Sequence, residues 1–166
     1  MIALVRVDNR LIHGQILETW LPALRARRVL VADDEAARSP LSRNALTLAL
    51  PDTIPAEVVP VERADWAAAA AAPEPVLVLF REVEALRRGL GHGLTAAIAP
   101  KVNVGNVHFS PGRRQITPSV FLREEELLML RDLVAAGFAV EARAIPGDSP
   151  TDVEEMARRF RQAKGQ

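Results

Sequence analysis

The chain has 166 residues with 21 basic and 21 acidic side chains, so its formal net charge is zero. This balance excludes the basic surface that is typical of nucleic-acid binding. Cysteine is absent, which excludes disulfides, thiolate zinc sites and cysteine nucleophiles. No apolar stretch approaches the roughly 20 residues of a membrane span, and the opening apolar run before Arg6 is too short for a signal peptide. We therefore expect a cytoplasmic protein.

Short apolar runs alternate with helix-like segments along the chain. The early runs are continuously hydrophobic, which is typical of strands buried on both faces of a sheet. Strands are predicted at residues 2–7, 28–33, 56–61, 75–80, 99–104 and 138–145. Helices are predicted at residues 15–25, 41–50, 63–72, 82–90, 124–136 and 151–163. This alternation favours an α/β fold with a mainly parallel sheet of about six strands and helices on both faces.

One stretch interrupts the alternation. Residues 107–122, with the sequence VHFSPGRRQITPSVFL, contain two prolines and one glycine and have no helical period. We predict a long loop with short extended pieces there, and long loops inside compact domains are often functional. The sequence has no internal repeat and no linker-like composition. Residues 1–166 are therefore predicted to form a single domain.

The segment VDNRLIHGQ follows the first predicted strand directly. In an open parallel sheet, ligands bind beyond the carboxyl ends of the strands. Arg6, Asp8 and Arg10 are two residues apart, so an extended backbone directs them to one side. His13 and Gly14 stand at the entrance to the first predicted helix, where amide groups and the helix dipole favour an anion. Guanidinium groups, free amides and a histidine together suit a phosphoryl group.

The histidine makes this chemistry specific, because a neutral imidazole is available at pH 7 and can carry a covalent intermediate as a nucleophile. The flanking arginines can spread over the phosphoryl oxygens, and Asp8 can orient an arginine or the ring. Two plainer interpretations stay open. A histidine at a helix start is often a cap or a surface residue, and arginines beside an aspartate often form a solvated ion pair.

Three separated segments carry a resemblance to a known family. VRVDNRLIHGQIL, KVNVGNVHF and RRQITPSVFL, with RVLVADDEAAR and VEARAIP in the expected order, resemble the IIB component of the mannose/fructose/sorbose family. This family belongs to the bacterial phosphoenolpyruvate-dependent sugar phosphotransferase system (PTS). The resemblance covers nearly the whole chain. It implies a three-layer α/β/α fold with the active-site loop after strand one.

The resemblance also implies a reaction. In that family the IIB histidine accepts a phosphoryl group from a phosphohistidine on the IIA protein. It passes the group to a sugar that the membrane permease, components IIC and IID, is importing. The matching motif places this role on His13, with Arg10 as the partner of the phosphoryl group and Asp8 as an orienting carboxylate. Further support for the phosphoryl group is expected from Arg6, Gly14 and Gln15.

The partners implied by the resemblance are a IIA phosphocarrier, the permease components and a sugar. No metal and no cofactor is expected, and nucleic acid is not a partner. Contact with the permease would bring a cytoplasmic protein of this kind to the inner face of the membrane. Transfer between two histidines on separate proteins also requires an in-line approach. We therefore expect His13 on a protruding, exposed loop, with Leu11 and Ile12 near a rim of arginines.

Polar residues in the second and third segments are candidates for docking or for a second loop beside the site. They are Asn103, Gly105, His108, Arg113 and Arg114. The glycine can let the backbone approach a ligand, but a strand-end turn with locally bonded asparagines is an equally good interpretation. A partly exposed loop position is the plainer interpretation of the histidine, and a solvated pair that of the two arginines.

Two positions depart from the usual family pattern. The family most often has a second aspartate where Asn9 stands, and commonly a second glycine where Asn106 stands. Neither change replaces the histidine or the arginine, so we expect an effect on partner or sugar preference rather than on transfer.

Two other functions use the same fold class. A nucleotide-binding domain is disfavoured because the turn after strand one lacks G-x-G-x-x-G and the chain lacks G-x-x-x-x-G-K-[ST]. A regulatory phosphorelay protein without sugar transport would use the same histidine, and this alternative stays open.

Overall fold

Residues 1–163, the part of the chain that the computed structural model describes, form nine strands and seven α-helices. The last three residues of the expected 1–166 domain lie outside the described residues. The strands are β1 (Ile2–Asp8), β2 (Arg28–Ala32), β3 (Ala56–Val59), β4 (Val76–Phe80), β5 (Lys101–Asn106), β6 (Arg114–Thr117), β7 (Val120–Leu122), β8 (Ala139–Ala142) and β9 (Thr151–Asp152).

The α-helices connect these strands. They are α1 (Leu21–Leu24), α2 (Asp34–Arg38), α3 (Pro40–Leu48), α4 (Trp66–Ala71), α5 (Val83–Gly91), α6 (Glu124–Ala135) and α7 (Val153–Gln162). A π-helical turn (Ile16–Trp20) leads into α1, and a short 3-10 turn (Val61–Arg63) precedes α4. Among residues 1–163, no helix is both long and apolar enough to cross a membrane.

Seven strands form one sheet in the order β3-β2-β4-β1-β5-β8-β9, and β6 and β7 form a separate hairpin. All pairings in the large sheet are parallel except that of β8 with β9. The prediction of a three-layer α/β/α fold with a mainly parallel sheet is confirmed. Each of the six predicted runs overlaps one strand of this sheet, although β1 and β5 extend one and two residues further than predicted, and the seventh strand is β9.

The two faces of the sheet bury different halves of the core because side chains alternate along a strand. Val5 and Val7 of β1 belong to the cluster that contains buried residues of α4, α5, α6 and α7. Leu4 belongs to the opposite cluster, which contains residues of the π-helical turn, α1 and α2. By the same alternation Arg6 and Asp8 lie on the face of Leu4. Both are fully buried.

Three local predictions differ from the structure. Residues 151 and 152 were expected to begin the last helix, but they pair with Glu141 and Ala142 of β8 as a short antiparallel strand. Helix α7 therefore starts at residue 153, where the Asp152 side chain accepts from the backbone N–H of Glu155. Helix α2 was not predicted because its five residues are too short to show a period. The first predicted helix contains a π-helical turn at Ile16–Trp20, a distortion that is frequent at functional sites.

The fold fixes where the segment after β1 lies. Strand β1 is in the middle of the sheet between β4 and β5, so its carboxyl end is bordered by the ends of both neighbours. In the register of β1 with β5, Asp8 lies opposite Asn106. Residues far apart in the sequence thus meet at one edge, next to the turn that carries His13.

Candidate active site

The Asp8 carboxylate is the centre of the site. Its Oδ2 atom accepts from Arg6 Nη2 at 2.9 Å and Nε at 3.2 Å, from His13 Nε2 at 2.8 Å and from Asn106 Nδ2 at 2.9 Å. Its Oδ1 atom accepts from the backbone N–H of Arg10 at 3.0 Å. A buried carboxylate requires such partners, because an unpaired charge is very unfavourable away from water.

These contacts keep Asp8 ionised. Burial by itself raises the pKa of Asp8, but the hydrogen bond from His13, the charge of Arg6 and the hydrogen bond from Asn106 together outweigh burial. The pKa of Asp8 is therefore lowered from its ordinary value of 3.8. At neutral pH the side chain is a carboxylate that accepts hydrogen bonds and donates none.

The orientation of the His13 ring assigns its tautomer. Nε2 faces Asp8 Oδ2 at 2.8 Å. Because an ionised carboxylate only accepts, the proton of a neutral ring is assigned to Nε2 and the lone pair to Nδ1. The side chain is 13% exposed. The expectation of an exposed histidine on a protruding loop differs from this, since contact with Asp8 holds the ring partly inside the sheet edge.

The Arg6 guanidinium is fully buried beneath Asp8. Its Nη1 donates to the side-chain oxygen of Asn103 and to the carbonyl of Arg143, and its Nη2 donates to the carbonyl of Ala144 at 3.1 Å. Burial lowers the pKa of Arg6, and the charge of Asp8 opposes this. Arg6 was expected to contact the phosphoryl group. The structure instead gives its guanidinium internal partners, so Arg6 and Asn103 act on the site through Asp8.

Two further residues enclose the Arg6 guanidinium. Its central carbon lies 4.9 Å from the centroid of the Trp20 ring, and Trp20 Nε1 donates to the carbonyl of Ala144 at 2.9 Å. On Gly105, a Cβ atom would lie 1.9 Å from Arg6 Cζ. The backbone at Gly105 was considered as a close approach for a ligand. In the structure, the side chain of Arg6 occupies that space.

Arg10 is the exposed cation of the site. Its side chain is 41% exposed, and Nε lies 3.8 Å from Asp8 Oδ1. Its Nη2 donates to Gln15 Oε1 at 3.0 Å, and the same oxygen accepts from Asn106 Nδ2 at 3.2 Å. Arg10 and His13 therefore both touch Asp8, one at each carboxylate oxygen. This arrangement puts an exposed positive charge beside an imidazole that is held by Asp8.

The backbone of the turn is anchored from below. Leu11 has a φ of 57°, an unfavourable left-handed conformation for this residue type, and its N–H donates to the carbonyl of Asp8 at 3.0 Å. Leu11 and Ile12 were expected at an exposed rim, but they are 1% and 6% exposed and belong to the core.

The helical segment begins directly after His13, so its first amides have no partner within the helix. Exposed Gly14 lies among them.

Asn9 connects the turn after β1 to the segments that follow β4 and β5. The Asn9 side-chain amide donates to the carbonyl of Arg81 at 2.7 Å and to Glu82 Oε1 at 3.2 Å. Its side-chain oxygen accepts from the backbone N–H of His108, whose side chain is exposed. Asn9 thus holds the ends of β1 and β4 and the segment after β5 together.

Arg113 and Arg114 do not form a rim. Arg113 is 7% exposed and pairs with Glu126 at 2.6 Å and with Glu82 at 2.8 Å. Arg114 packs over the Phe160 ring of α7, with 4.6 Å between its central carbon and the ring centroid. The structure does not support the docking role expected of these two arginines, because Arg113 is buried in an ion pair and Arg114 covers α7.

The residue that sequence reasoning missed is Asn106. The sequence leads us to expect a locally bonded asparagine at a strand-end turn and a departure from the family pattern, whereas in the structure the amide of Asn106 touches both Asp8 and Gln15. The available signal was its place at the carboxyl end of a predicted strand beside β1. Within residues 1–163, no three histidine, aspartate or glutamate side chains are grouped so that they could hold a metal ion.

Fold and site together define an α/β protein with a histidine–carboxylate pair at the carboxyl edge of a parallel sheet. Residues 2–166 match the family model of the PTS system sorbose subfamily IIB component, and the chain belongs to this family. Its members are phosphotransfer components of sugar phosphotransferase systems. The resemblance seen in the sequence is confirmed.

Individual relatives agree over nearly their full length. The fructose-specific EIIB component of Bacillus subtilis is 30% identical over 159 residues, which are 95% of this chain and 96% of that protein. The crystal structure of the N-acetylgalactosamine-specific IIB component 1 of Escherichia coli gives a TM-score of 0.83 at 28% identity, covering 92% of this chain and 99% of that one. The IIB domain of the sorbose permease of Klebsiella pneumoniae gives 0.83 at 26% identity, with 95% and 96% covered.

Gly105→Ala should unfold the support beneath Asp8. The added Cβ would overlap the Arg6 guanidinium, so that Arg6 must move and break its buried ion pair. Breaking a buried pair typically destabilises a protein by about 3–5 kcal/mol, and urea unfolding measures the loss. Gly91→Ala is the matched control, because a Cβ there meets no atom within 4 Å. A Gly105→Ala protein as stable as Gly91→Ala would contradict the packing.

Asp8→Asn should destabilise most at neutral pH. A carboxyl whose pKa is lowered on folding adds stability above its ordinary pKa of 3.8, and loses it as the pH falls through the lower folded value. The variant leaves Arg6 buried without its counter-ion, which costs about 3–5 kcal/mol at pH 7. The difference from wild type should shrink below about pH 4. Denaturant unfolding between pH 7 and pH 2.5 tests this, and a pH-independent difference would argue against the ion pair.

Proposed function

We propose that this chain is the phosphocarrier IIB component of a sugar phosphotransferase system. It accepts a phosphoryl group on His13 from a IIA phosphohistidine and passes it to a sugar at the membrane permease. The observation that carries the proposal is the 2.8 Å contact of His13 Nε2 with Asp8. This contact leaves Nδ1 as the nucleophilic nitrogen of the ring.

Each transfer step follows from that tautomer. The lone pair of His13 Nδ1 attacks phosphorus, the phosphorus–nitrogen bond of the donor breaks, and its electron pair returns to the donor ring. Nε2 keeps its proton, so the phosphorylated ring carries a positive charge next to Asp8. In the second step a sugar hydroxyl attacks phosphorus, the electron pair of the broken bond returns to Nδ1, and the hydroxyl proton is released.

The lowered pKa of Asp8 is useful in this cycle. A carboxylate that resists protonation does not remove the Nε2 proton from the phosphorylated ring. The ring therefore stays a positively charged leaving group, which favours onward transfer over accumulation of a stable phosphoimidazole. Asp8 also fixes the direction of Nδ1, and phosphoryl transfer depends mainly on such positioning and on charge stabilisation. Arg6 keeps Asp8 in place from below.

Arg10 supplies the mobile charge on the outer side. Its side chain is 41% exposed, and its guanidinium lies close to Asp8 and donates to Gln15. A planar guanidinium matches phosphoryl oxygens with two donors. The amides that begin the helical segment at Gly14 and Gln15 add N–H groups for the same anion.

The partners are proposed from relatives and from chemistry. The mannose-specific EIIAB component of Escherichia coli is 30% identical over 150 residues, which are 89% of this chain and 46% of that protein. Its name joins A and B components, which supports a IIA protein as the donor here. The acceptor is a sugar bound to permease components IIC and IID, which places the chain at the inner face of the membrane during transfer. The relatives are named for fructose, sorbose and N-acetylgalactosamine, so their names select no single sugar for this chain.

A reconstituted phosphoryl relay tests the proposal. The chain is incubated with phosphoenolpyruvate, the general phosphotransferase proteins and a cognate IIA, and intact mass spectrometry follows the product. We expect one added phosphoryl group on wild type and on His108→Ala, an exposed histidine control, and none on His13→Ala. The adduct should be lost in mild acid and kept in alkali, as a phosphoramidate is. An acid-stable adduct, or one that survives in His13→Ala, would overturn the assignment.

Arg10→Ala should fold normally but accept the phosphoryl group more slowly. Removing one donor that stabilises transition-state charge commonly lowers a rate by about 10²–10³. Arg10→Lys should restore only part of the rate, because lysine keeps the charge and loses the planar fork. Rapid-quench transfer from phosphorylated IIA measures the rates, with exposed Arg87→Ala as the control. Equal rates for the Arg10→Ala and Arg87→Ala proteins would remove Arg10 from the site.

A further inference from the structure

Asn106 ends β5 and is 7% exposed at the edge of the sheet. Its side-chain amide has two N–H groups, and each has an acceptor within the site. Nδ2 lies 2.9 Å from Asp8 Oδ2 and 3.2 Å from Gln15 Oε1. Both N–H groups of the amide therefore have acceptors, one on Asp8 at the end of β1 and one on Gln15 in the helical segment after the turn.

Each of these two acceptor oxygens also accepts a hydrogen bond from a residue of the proposed reaction. Asp8 Oδ2 is the atom that accepts from His13 Nε2. Gln15 Oε1 is the atom that accepts from Arg10 Nη2. A single amide group thus connects the partner of the nucleophile to the partner of the mobile cation. Backbone pairing strengthens this link, because Asp8 and Asn106 face each other in the register of β1 and β5.

We propose that Asn106 is a positioning residue for phosphoryl transfer, which sets the spacing between the His13 ring and the Arg10 guanidinium by holding Asp8 and Gln15 with one side-chain amide. The proposal rests on the function given above. Asn106 is largely buried and has its amide committed to Asp8 and Gln15, so it acts through them and not on the phosphoryl group.

The proposed positioning role depends on the N–H groups that Asn106 donates. Asp8 Oδ2 accepts two N–H groups of Arg6 from below and one from His13, and Asn106 completes this set from β5. The hydrogen bond from Asn106 also favours the ionised form of Asp8. The charged side chains near Asn106 are those of Arg6, Arg10 and Asp8, and the ring of His13 also faces Asp8. A carboxylate at position 106 would keep the shape of Asn106 but turn both contacts into repulsion between acceptors.

Two variants of Asn106 distinguish the loss of its N–H donors from the loss of its side-chain volume. Asn106→Gly removes the amide and gives the residue that the family commonly has at this position. An effect limited to partner or sugar preference predicts an unchanged kcat for this variant, whereas the positioning role predicts a lower one. Asn106→Asp keeps the shape of the side chain without its N–H donors. Steady-state transfer from phosphorylated IIA should show a kcat lower by roughly 10-fold in Asn106→Gly and lower still in Asn106→Asp, since small displacements of reacting groups slow transfer strongly. The KM for the donor should stay unchanged, because a side chain 7% exposed offers little surface to a partner. Thermal unfolding checks that each variant is folded at the assay temperature.

A double-mutant cycle tests the path through Gln15. If Asn106 positions Arg10 through Gln15, the combined loss in Asn106→Gly with Gln15→Ala is smaller than the product of the two single losses. Asn106→Gly with Gln115→Ala is the control pair, because Gln115 lies on the exposed side of β6, and its losses should multiply. A kcat for Asn106→Asp equal to that of wild type would overturn the proposal, and so would losses that multiply in the Gln15 pair.

The outcome is distinguishable from failure of the proposed function. If wild type is not phosphorylated on His13, the function itself is wrong. If wild type is phosphorylated on His13 and the Asn106 variants transfer normally, only the role of Asn106 is wrong. A raised KM with an unchanged kcat would also overturn the role, because it would place Asn106 on the donor-binding surface.

Discussion

The buried Asp8 carboxylate is the constraint on which the rest of the site depends. A charge with no exposure must be compensated within the protein. Asp8 obtains its compensation from Arg6 on its own strand, from the turn that carries Arg10 and His13, and from Asn106 on the neighbouring strand. The need to compensate one buried charge therefore brings together Arg6, the His13 turn and Asn106.

The same requirement explains residues that never reach the surface. Arg6 must itself be satisfied, and it uses Asn103, two backbone carbonyls after β8 and the face of Trp20. Gly105 is needed because the guanidinium lies where any Cβ would be. These residues form a packed support that extends from β1 across β5 to the segment after β8. The His13 ring at the edge of the sheet thus rests on a buried polar cluster.

The site combines an enclosed side chain with a more exposed one. His13 is held against Asp8 with 13% of its side chain exposed, so the direction of its ring is fixed. Arg10 has a side chain that is 41% exposed, and its guanidinium donates to Gln15. Neither Arg113 nor Arg114 extends this charge outward, because Arg113 pairs with Glu126 and Arg114 packs over the Phe160 ring.

The sequence by itself determined the α/β class, six strands of the sheet and the family, and it led us to expect the site at the turn that carries His13. Local rules suffice for these, since apolar periodicity is written in neighbouring residues and the motif is continuous. Only the tertiary structure decided that Arg6, Leu11, Ile12 and Arg113 are buried, that Asp152 belongs to a strand, and that Asn106 completes the site. Burial and pairing depend on strand order and register, which bring together residues about 100 positions apart. A charged side chain looks the same in the sequence whether water or a buried counter-ion surrounds it.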